Sequence, residues 1–170
     1  MASAVSLEED VAQLTVDDVL AAVCAPEASS GAGVAAALAL ALAAACARKA
    51  VGVTLKRGEA GSDTAELDAR VERLQLHQHR AVAQARRDAL LFKAYLQTRE
   101  PRQAQNLVES AQHFQVLVGA VGDELHGLRE RVAAVVAGDV DAAEALHRAA
   151  SEVSADLLRE ARSERNRLVS

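Results

Sequence analysis

The chain has 170 residues, of which 51% are hydrophobic, 2% are aromatic and 25% are charged, and its formal net charge is −5. This length fits a single domain, residues 1–170, that is large enough to bury a core. The negative charge and the scarcity of stacking aromatic rings argue against a nucleic-acid partner.

The composition predicts an all-α fold. Alanine and leucine are strong helix formers, and only two prolines interrupt the chain. We therefore expect a bundle of about five long, mostly antiparallel helices. Cys24 and Cys46 lack metal-type spacing and are expected to be small apolar residues in a reducing compartment. The acidic N-terminus has no secretory pattern, so we expect a cytoplasmic protein.

The first predicted helix runs from Thr15 to Cys24. Thr15 with Asp18 three residues later forms a capping box, in which Asp replaces the usual Glu or Gln. Pro26 is expected to end this helix, and the small polar residues after it (Ser29, Ser30 and Gly31) to cap the next.

The second predicted helix runs from Gly31 to Lys56 and is apolar on every side over much of its length. Its uninterrupted apolar run is shorter than the roughly 20 residues that a membrane span requires, so a membrane span is disfavoured. A helix that is apolar all round is otherwise buried, and in a protein of this size such burial often requires a second subunit. The sequence thus predicts a dimer or a larger assembly without a membrane partner.

Three further helices follow. One is expected from Ser62 to Glu100, where Pro101 stops or kinks it. The next runs from Pro101 toward Ala137, with a break at one of three glycines (Gly119, Gly122 or Gly127). Gly138 is then expected as a helix stop and Asp139 as the cap of a last helix that frays near Ser163.

One side of the third helix carries an unexpected acid. Residues spaced alternately three and four apart share this face: Leu67, Val71, Leu74, Gln78, Ala81, Ala85, Asp88, Phe92 and Tyr95. A carboxylate on an apolar face loses hydration, and its pKa rises, so Asp88 is a candidate for proton transfer. The alternative is a structural Asp paired with an arginine, for which Arg48, Arg86 or Arg87 is available.

The histidines give a weaker signal. His77 and His79 point in different directions on a helix. Asp123 with His126, and Glu144 with His147, have the carboxylate–histidine spacing of di-metal bundle sites, but the further ligands that such a site needs are missing. We expect no metal.

Several segments together resemble one known family. They are "LTVDDVLAAV" (14–23), "GAGVAAALALALAAACA" (31–47), "VTLKR" (53–57) and "RRDALLFKAYLQTREPR" (86–102). In order and spacing they are similar to the short N-terminal helix, the PTPGGGS turn with its Ala/Leu helix, the LTxGKK segment and the DxDAxAFxxxxxxPK segment of the cyclodeaminase/cyclohydrolase family. That family of folate one-carbon enzymes includes the C-terminal half of formiminotransferase-cyclodeaminase and stand-alone methenyltetrahydrofolate cyclohydrolases.

The resemblance implies an all-helical homodimer that binds a reduced folate as substrate and holds no tightly bound cofactor. The comparison places Asp88, Phe92 and Tyr95 on recognisable positions of the family motif. If the protein catalyses such a reaction, Asp88 is the candidate acid–base carboxylate, and Phe92 is a candidate substrate-binding residue. The first turn of the second helix (Gly31, Ala32, Gly33 and Val34) would offer backbone amides to ligand oxygens. Lys56 and Arg57 would meet the glutamate tail, unless they only complement the C-terminal end of the helix.

The sequence also departs from the family pattern. Ala32 replaces a glycine, Val34 replaces the serine, Arg86 replaces the first Asp of DxDA, and Phe114 replaces a later proline. Two function classes therefore remain open. One is a cyclohydrolase or cyclodeaminase. The other is a repurposed member, either a helical dimer without catalysis or an enzyme acting on a non-folate, ring-forming substrate.

Overall fold

The computed structural model describes residues 15–24 and 30–170, and these residues form helices connected by turns, without a β-strand. The helices are α1 (Val16–Val23), α2 (Gly31–Lys56), α3 (Thr64–Thr98), α4 (Pro101–Leu125) and α5 (Ala137–Val169). Short 3-10 turns lie at Gly61–Asp63, Arg129–Arg131 and Ala134–Val136. The predicted all-α fold is confirmed, with four long helices and one of two turns.

The four long helices form an antiparallel bundle in which α2 packs between α3 and α5, and α4 lies diagonally opposite α2. The pairing follows from contacts between distant residues. Lys49 near the end of α2 pairs with Asp139 at the start of α5, at 2.8 Å. Arg70 at the start of α3 donates to the carbonyl oxygen of Glu124 at the end of α4, at 3.0 Å.

Helix α2 is the core of the bundle because its small side chains let the neighbouring helices approach closely. Its fully buried residues include Val34, Ala37, Leu40, Ala43, Ala44, Ala47, Ala50 and Val51. By length and composition α2 is the one helix in the described ranges able to cross a membrane, with a mean hydropathy of 1.8 over 18 residues. The bundle buries 56% of that window, which is the environment of a core helix.

The predicted start of α1 is confirmed. Thr15 is the N-cap, its hydroxyl accepts from the Asp18 amide at 3.2 Å, and its own amide donates to the Asp18 carboxylate at 3.0 Å. The expected roles of Pro26 and Ser29 lie outside the described residues. Cys24 is exposed rather than packed as predicted, whereas Cys46 packs against the core, and both thiols are free.

The turn between α3 and α4 lies within two residues of its predicted position. Helix α3 ends at Thr98, and Arg99 follows in the left-handed conformation with φ +54°. Pro101 then occupies the first turn of α4, where its missing amide hydrogen costs nothing.

The predicted break at Gly127 is confirmed, but the predicted continuation toward Ala137 and the predicted helix stop at Gly138 are wrong. Helix α4 ends at Leu125, Gly127 turns the chain with φ +62°, and α5 begins at Ala137, so that Gly138 and Asp139 lie inside a helix. The connection is attached to α2 by the Ala133 amide, which donates to the buried Thr54 hydroxyl at 2.8 Å. Helix α5 also continues six residues past the predicted fraying point, to Val169. Packing against its neighbours thus overrides the local stop signals.

Two glycines that the sequence offered as break points should respond oppositely to alanine. Gly127→Ala places a side chain in the left-handed region and should lower the free energy of unfolding by about 1 kcal/mol. Gly119 is helical and has open space where a Cβ atom would lie, so Gly119→Ala should raise that free energy by roughly 0.5–1 kcal/mol. Urea unfolding of the two variants measures both changes in the free energy of unfolding. A Gly127→Ala variant that is more stable than wild type would contradict the left-handed conformation of Gly127.

Candidate functional site

A cavity of about 540 Å³ opens at the end of the bundle where α2 begins. Its walls are the first turn of α2 (residues 30–33), α3 from Asp88 to Leu96 with Arg99 just after the helix, α4 at Leu107 and Ala111, and α5 from Leu157 to Arg167. This volume is typical of small-molecule sites, which are concave and mostly apolar with a few converging polar groups.

The carboxyl group of Asp88 lies on the cavity wall against the N-terminus of α2. Its partner is the buried hydroxyl of Ser30, which donates a hydrogen bond to Oδ2. Burial raises the pKa of the Asp88 carboxyl, and the hydrogen bond from Ser30 opposes that rise. The geometry therefore provides a carboxyl group that is able to hold or release a proton nearer neutral pH than an ordinary Asp.

The predicted arginine partner of Asp88 is not found. Arg86 and Arg87 are exposed on the far side of α3, where they line a separate shallow groove. Within the described ranges, neither they nor Arg48 form an ion pair with Asp88. Without a neighbouring cation, desolvation dominates the proton affinity of this carboxyl.

Gly33 is required by the close approach of Asp88. A Cβ atom added at this glycine would overlap the carboxylate oxygen and lie 2.7 Å from its Cγ, and it would also crowd the Ser30 hydroxyl. The absence of a side chain at position 33 thus lets the carboxyl group rest on the first turn of the helix. There the amides carry the positive end of the helix dipole.

Of the four predicted amide donors, three face the cavity. Helix geometry leaves the amides of Gly31, Ala32 and Gly33 without an intrahelical carbonyl, and all three residues line the cavity. Val34 differs, because its side chain is fully buried in the core and its amide donates to the Ser30 carbonyl at 3.1 Å. The structure therefore places Val34 outside the cavity.

Phe92 lines the cavity as the sequence analysis placed it, and Tyr95 lies one turn further along α3. The two rings are tilted, with centroids 6.5 Å apart. The Tyr95 hydroxyl donates to the carboxylate of Glu164 on α5, at 2.9 Å. This wall combines apolar rings with one anchored polar group.

Lys56 and Arg57 are not brought to this cavity. They lie at the opposite end of α2, about 38 Å along the helix from Gly31 at 1.5 Å per residue. Both are exposed, and Arg57 pairs with the nearby Glu59. Within one chain they are too distant to contact a ligand held at Asp88.

The sequence analysis missed two contributions to the site. Ser30 was interpreted as a helix cap, yet its side chain bonds to Asp88 rather than to a helix amide. The α5 residues Glu160, Glu164 and Arg167 line the cavity, although nothing local distinguishes them from other charged positions of that helix. Tyr95 was among the α3 positions predicted to share a face with Asp88, but no role in the site was predicted for it.

The carboxylate–histidine pairs do not assemble a metal site. In residues 15–24 and 30–170, no group of three or more His, Cys, Asp or Glu side chains is placed to hold a metal ion. The Nε2 atom of His147 instead lies 2.9 Å from the Val118 carbonyl oxygen, which gives this histidine a structural hydrogen bond.

Of the four positions named as departures from the pattern of the resembled family, three lie outside the cavity. Val34 and Phe114 are buried in the core, and Arg86 faces away from Asp88. Only Ala32 lines the cavity, and it contributes a single methyl group there. The chemistry of the cavity is thus less altered than the sequence alone indicates.

Comparison with known proteins gives a family and a fold. The family model described as formiminotransferase-cyclodeaminase matches residues 15–116. The crystal structure of formiminotetrahydrofolate cyclodeaminase from Thermotoga maritima superposes with a TM-score of 0.84 at 16% identity, covering 94% of this chain and 86% of that one. No curated protein sequence matches the chain. At this identity the structural likeness establishes the fold.

Asp88 should make the stability of the protein fall as pH rises. Because burial raises its pKa in the folded chain, the folded state holds a proton that the unfolded state has already released between the ordinary pKa of 3.8 and the raised value. The free energy of unfolding should decrease through that window and then level off. Asp88→Asn stays neutral, so it should be more stable than wild type above the window and lose this advantage below it.

Urea unfolding from about pH 3.5 to 8 measures this difference. Asp68→Asn, at an exposed position of the same helix, is the matched control. A stability difference between wild type and Asp88→Asn that is constant across the range would contradict the assignment.

Proposed function

Because this chain belongs to the formiminotransferase-cyclodeaminase family, we propose that it is a folate-dependent one-carbon enzyme of the cyclodeaminase or cyclohydrolase type. The observation that carries the proposal is the partly buried Asp88 carboxyl, which faces a cavity of ligand size beside the first turn of α2. The Thermotoga protein of the same fold is a formiminotetrahydrofolate cyclodeaminase.

Both reaction types require protons to move at the two folate nitrogens that flank the one-carbon unit. In ring opening, water adds to the bridging carbon of a methenyl folate, and one carbon–nitrogen bond breaks as its nitrogen takes a proton. In ring closure of a formimino folate, the second nitrogen attacks the formimino carbon, and ammonia leaves after protonation. One carboxyl group serves either sequence by accepting the first proton and returning the second.

Asp88 has the environment for that exchange. Its raised pKa keeps the protonated form accessible, and the Ser30 hydrogen bond holds Oδ2 in a fixed position. The adjacent amides of Gly31 and Ala32 would donate hydrogen bonds to a ligand oxygen. Phe92 would pack against a flat ring of the ligand. Each of these groups acts from a helix, which favours a rigid site.

The alternative, a repurposed member that has lost the chemistry, draws on the departures from the family pattern. The best remaining support for this alternative is Ala32, because its methyl group leaves less space for a ligand at the cradle, which is the first turn of α2. The positions of Val34 and Arg86 outside the cavity weaken this alternative. A non-folate ring-forming substrate would use the same Asp88 and the same cradle.

We further propose that the active form is a homodimer assembled on α2. Leu42 is 56% exposed in the middle of this core helix. Its neighbours on the same face, Leu38, Ala39 and Cys46, are only partly buried. No helix of the described residues covers this apolar face of α2, and a second copy of the chain would bury it.

Folate binding and turnover test the proposed function. Folinic acid should raise the melting temperature of wild type and of Asp88→Asn, because the variant keeps the cavity. The loss of methenyl absorbance from methenyltetrahydrofolate, or ammonia release from the formimino compound, should be slower in Asp88→Asn by about 10²–10⁴-fold.

The two measurements separate the alternatives. An unchanged melting temperature at saturating folate would favour the repurposed member. Equal rates in wild type and Asp88→Asn would remove Asp88 from the chemistry while leaving the folate site intact. Asp68→Asn is the control for a generic effect of removing one carboxylate.

The dimer has its own test. Leu42→Arg places a charge in the centre of the proposed interface and should convert a dimer to a monomer in light scattering. Val116→Arg is the matched control, because Val116 is 73% exposed on α4, diagonally across the bundle from α2. A wild-type protein that is monomeric, or a Leu42→Arg variant that stays dimeric, would contradict the α2 interface.

A further inference from the structure

We propose that Arg99 binds a carboxylate of the ligand at the end of the cavity opposite Asp88. This inference rests on the proposed folate function and identifies the part of the site that recognises the glutamate tail. The sequence analysis expected Lys56 and Arg57 in that role, but they lie at the other end of the bundle.

The backbone at Arg99 is unusual. With φ +54°, Arg99 is the one residue other than glycine with a positive φ in the described ranges. It follows the last residue of α3, and its amide donates to the Tyr95 carbonyl at 2.8 Å. Glycine is the usual residue there, and a side chain costs about 1 kcal/mol. An arginine in this position therefore has a local cost that its packing or function must offset.

The guanidinium group of Arg99 is held in place by an aromatic ring. Its central carbon lies 4.9 Å from the centroid of the Tyr95 ring. Tyr95 is itself buried, and its hydroxyl is anchored to Glu164. Stacking leaves the edge donors of a guanidinium available, and these donors match the two oxygens of a carboxylate.

Two arginines, Arg99 and Arg167, line this end of the cavity, and Arg99 is the one available to an anion. Arg167 also lines the cavity, but it pairs with Glu164 at 2.7 Å. A second carboxylate, that of Glu160, lines the same region of α5. Arg99 has no carboxylate partner in residues 15–24 and 30–170, so its charge is available to a ligand.

The distance between the two ends suits an extended ligand. Asp88 and Arg99 are eleven residues apart on α3, about 16 Å along the helix axis. Phe92 and Tyr95 line the wall between them. A reduced folate has its reactive nitrogens toward one end and its glutamate carboxylates at the other, which matches a carboxyl group, an aromatic wall and a guanidinium in that order.

Two ligands and three variants test the inference. Folinic acid and its analogue without the glutamate, 5-formyltetrahydropteroate, are titrated calorimetrically against wild type, Arg99→Gly, Arg99→Lys and Arg57→Gln. Wild type should bind folinic acid about tenfold or more tightly than the analogue. Arg99→Gly should lose that preference while its affinity for the analogue stays near wild type, and Arg99→Lys should keep part of it. Arg57→Gln should behave as wild type.

The glycine variant also separates binding from folding. Because glycine suits φ +54°, Arg99→Gly should melt at or above the wild-type temperature, so that a loss of affinity is not a loss of structure. A wild type that binds both ligands equally, or an Arg99→Gly variant that retains the preference, would overturn the role of Arg99 alone. Loss of the preference for folinic acid in Arg57→Gln would show instead that the glutamate tail binds at the other end of α2. Failure of wild type to bind either ligand would overturn the folate proposal and this inference together.

Discussion

The contact between the Asp88 carboxyl and the first turn of α2 is the constraint on which the site depends. It requires glycine at position 33, because a Cβ atom there would occupy the space of the carboxylate. It also directs the Ser30 hydroxyl away from its own helix and toward Asp88. One close approach of α3 to α2 thus partly buries the acid, raises its pKa and brings it beside the amides of the first turn of α2.

The other end of the bundle shows what carboxylates do when they serve structure. Glu66 there is surrounded by Arg70, Arg73 and Arg131, and these cations lower its pKa although burial opposes them. Such a cluster keeps Glu66 charged and fastens α3 to the α4–α5 connection. Asp88 has no cation beside it in the described part of the chain, so its proton affinity moves in the opposite direction. The two ends differ in pairing, and that difference separates a structural acid from a candidate catalytic one.

Helix α5 completes the cavity although it lies beyond the residues that the family model matches. Its C-terminal half brings Glu164 to the Tyr95 hydroxyl and Arg167 to Glu164. Because the structural likeness extends over 94% of the chain, this helix belongs to the shared fold. The charged residues at the far end of the cavity come partly from this segment.

The amino-acid sequence by itself determined the features that depend on neighbours a few residues away. These include the Thr15 capping box, the full extent of α2, the turn before Pro101 and the position of Asp88 on an otherwise apolar face. Helix propensity, caps and periodicity act over one or two turns, and therefore they can be predicted from local sequence. The start of α5 could not be predicted in this way, because its packing against α2 and α4 overrides the local stop signals at Gly138 and Asp139.

Only the tertiary structure decided which side chains share the cavity. It buried Val34 in the core, sent the Ser30 hydroxyl to Asp88 and left Lys56 and Arg57 at the opposite end of a 26-residue helix. It also brought residues of α5 to the cavity that α2 and α3 line. These outcomes depend on how four helices pack side by side, and an alanine-rich helix is apolar on too many faces for its sequence alone to say which neighbour each face meets.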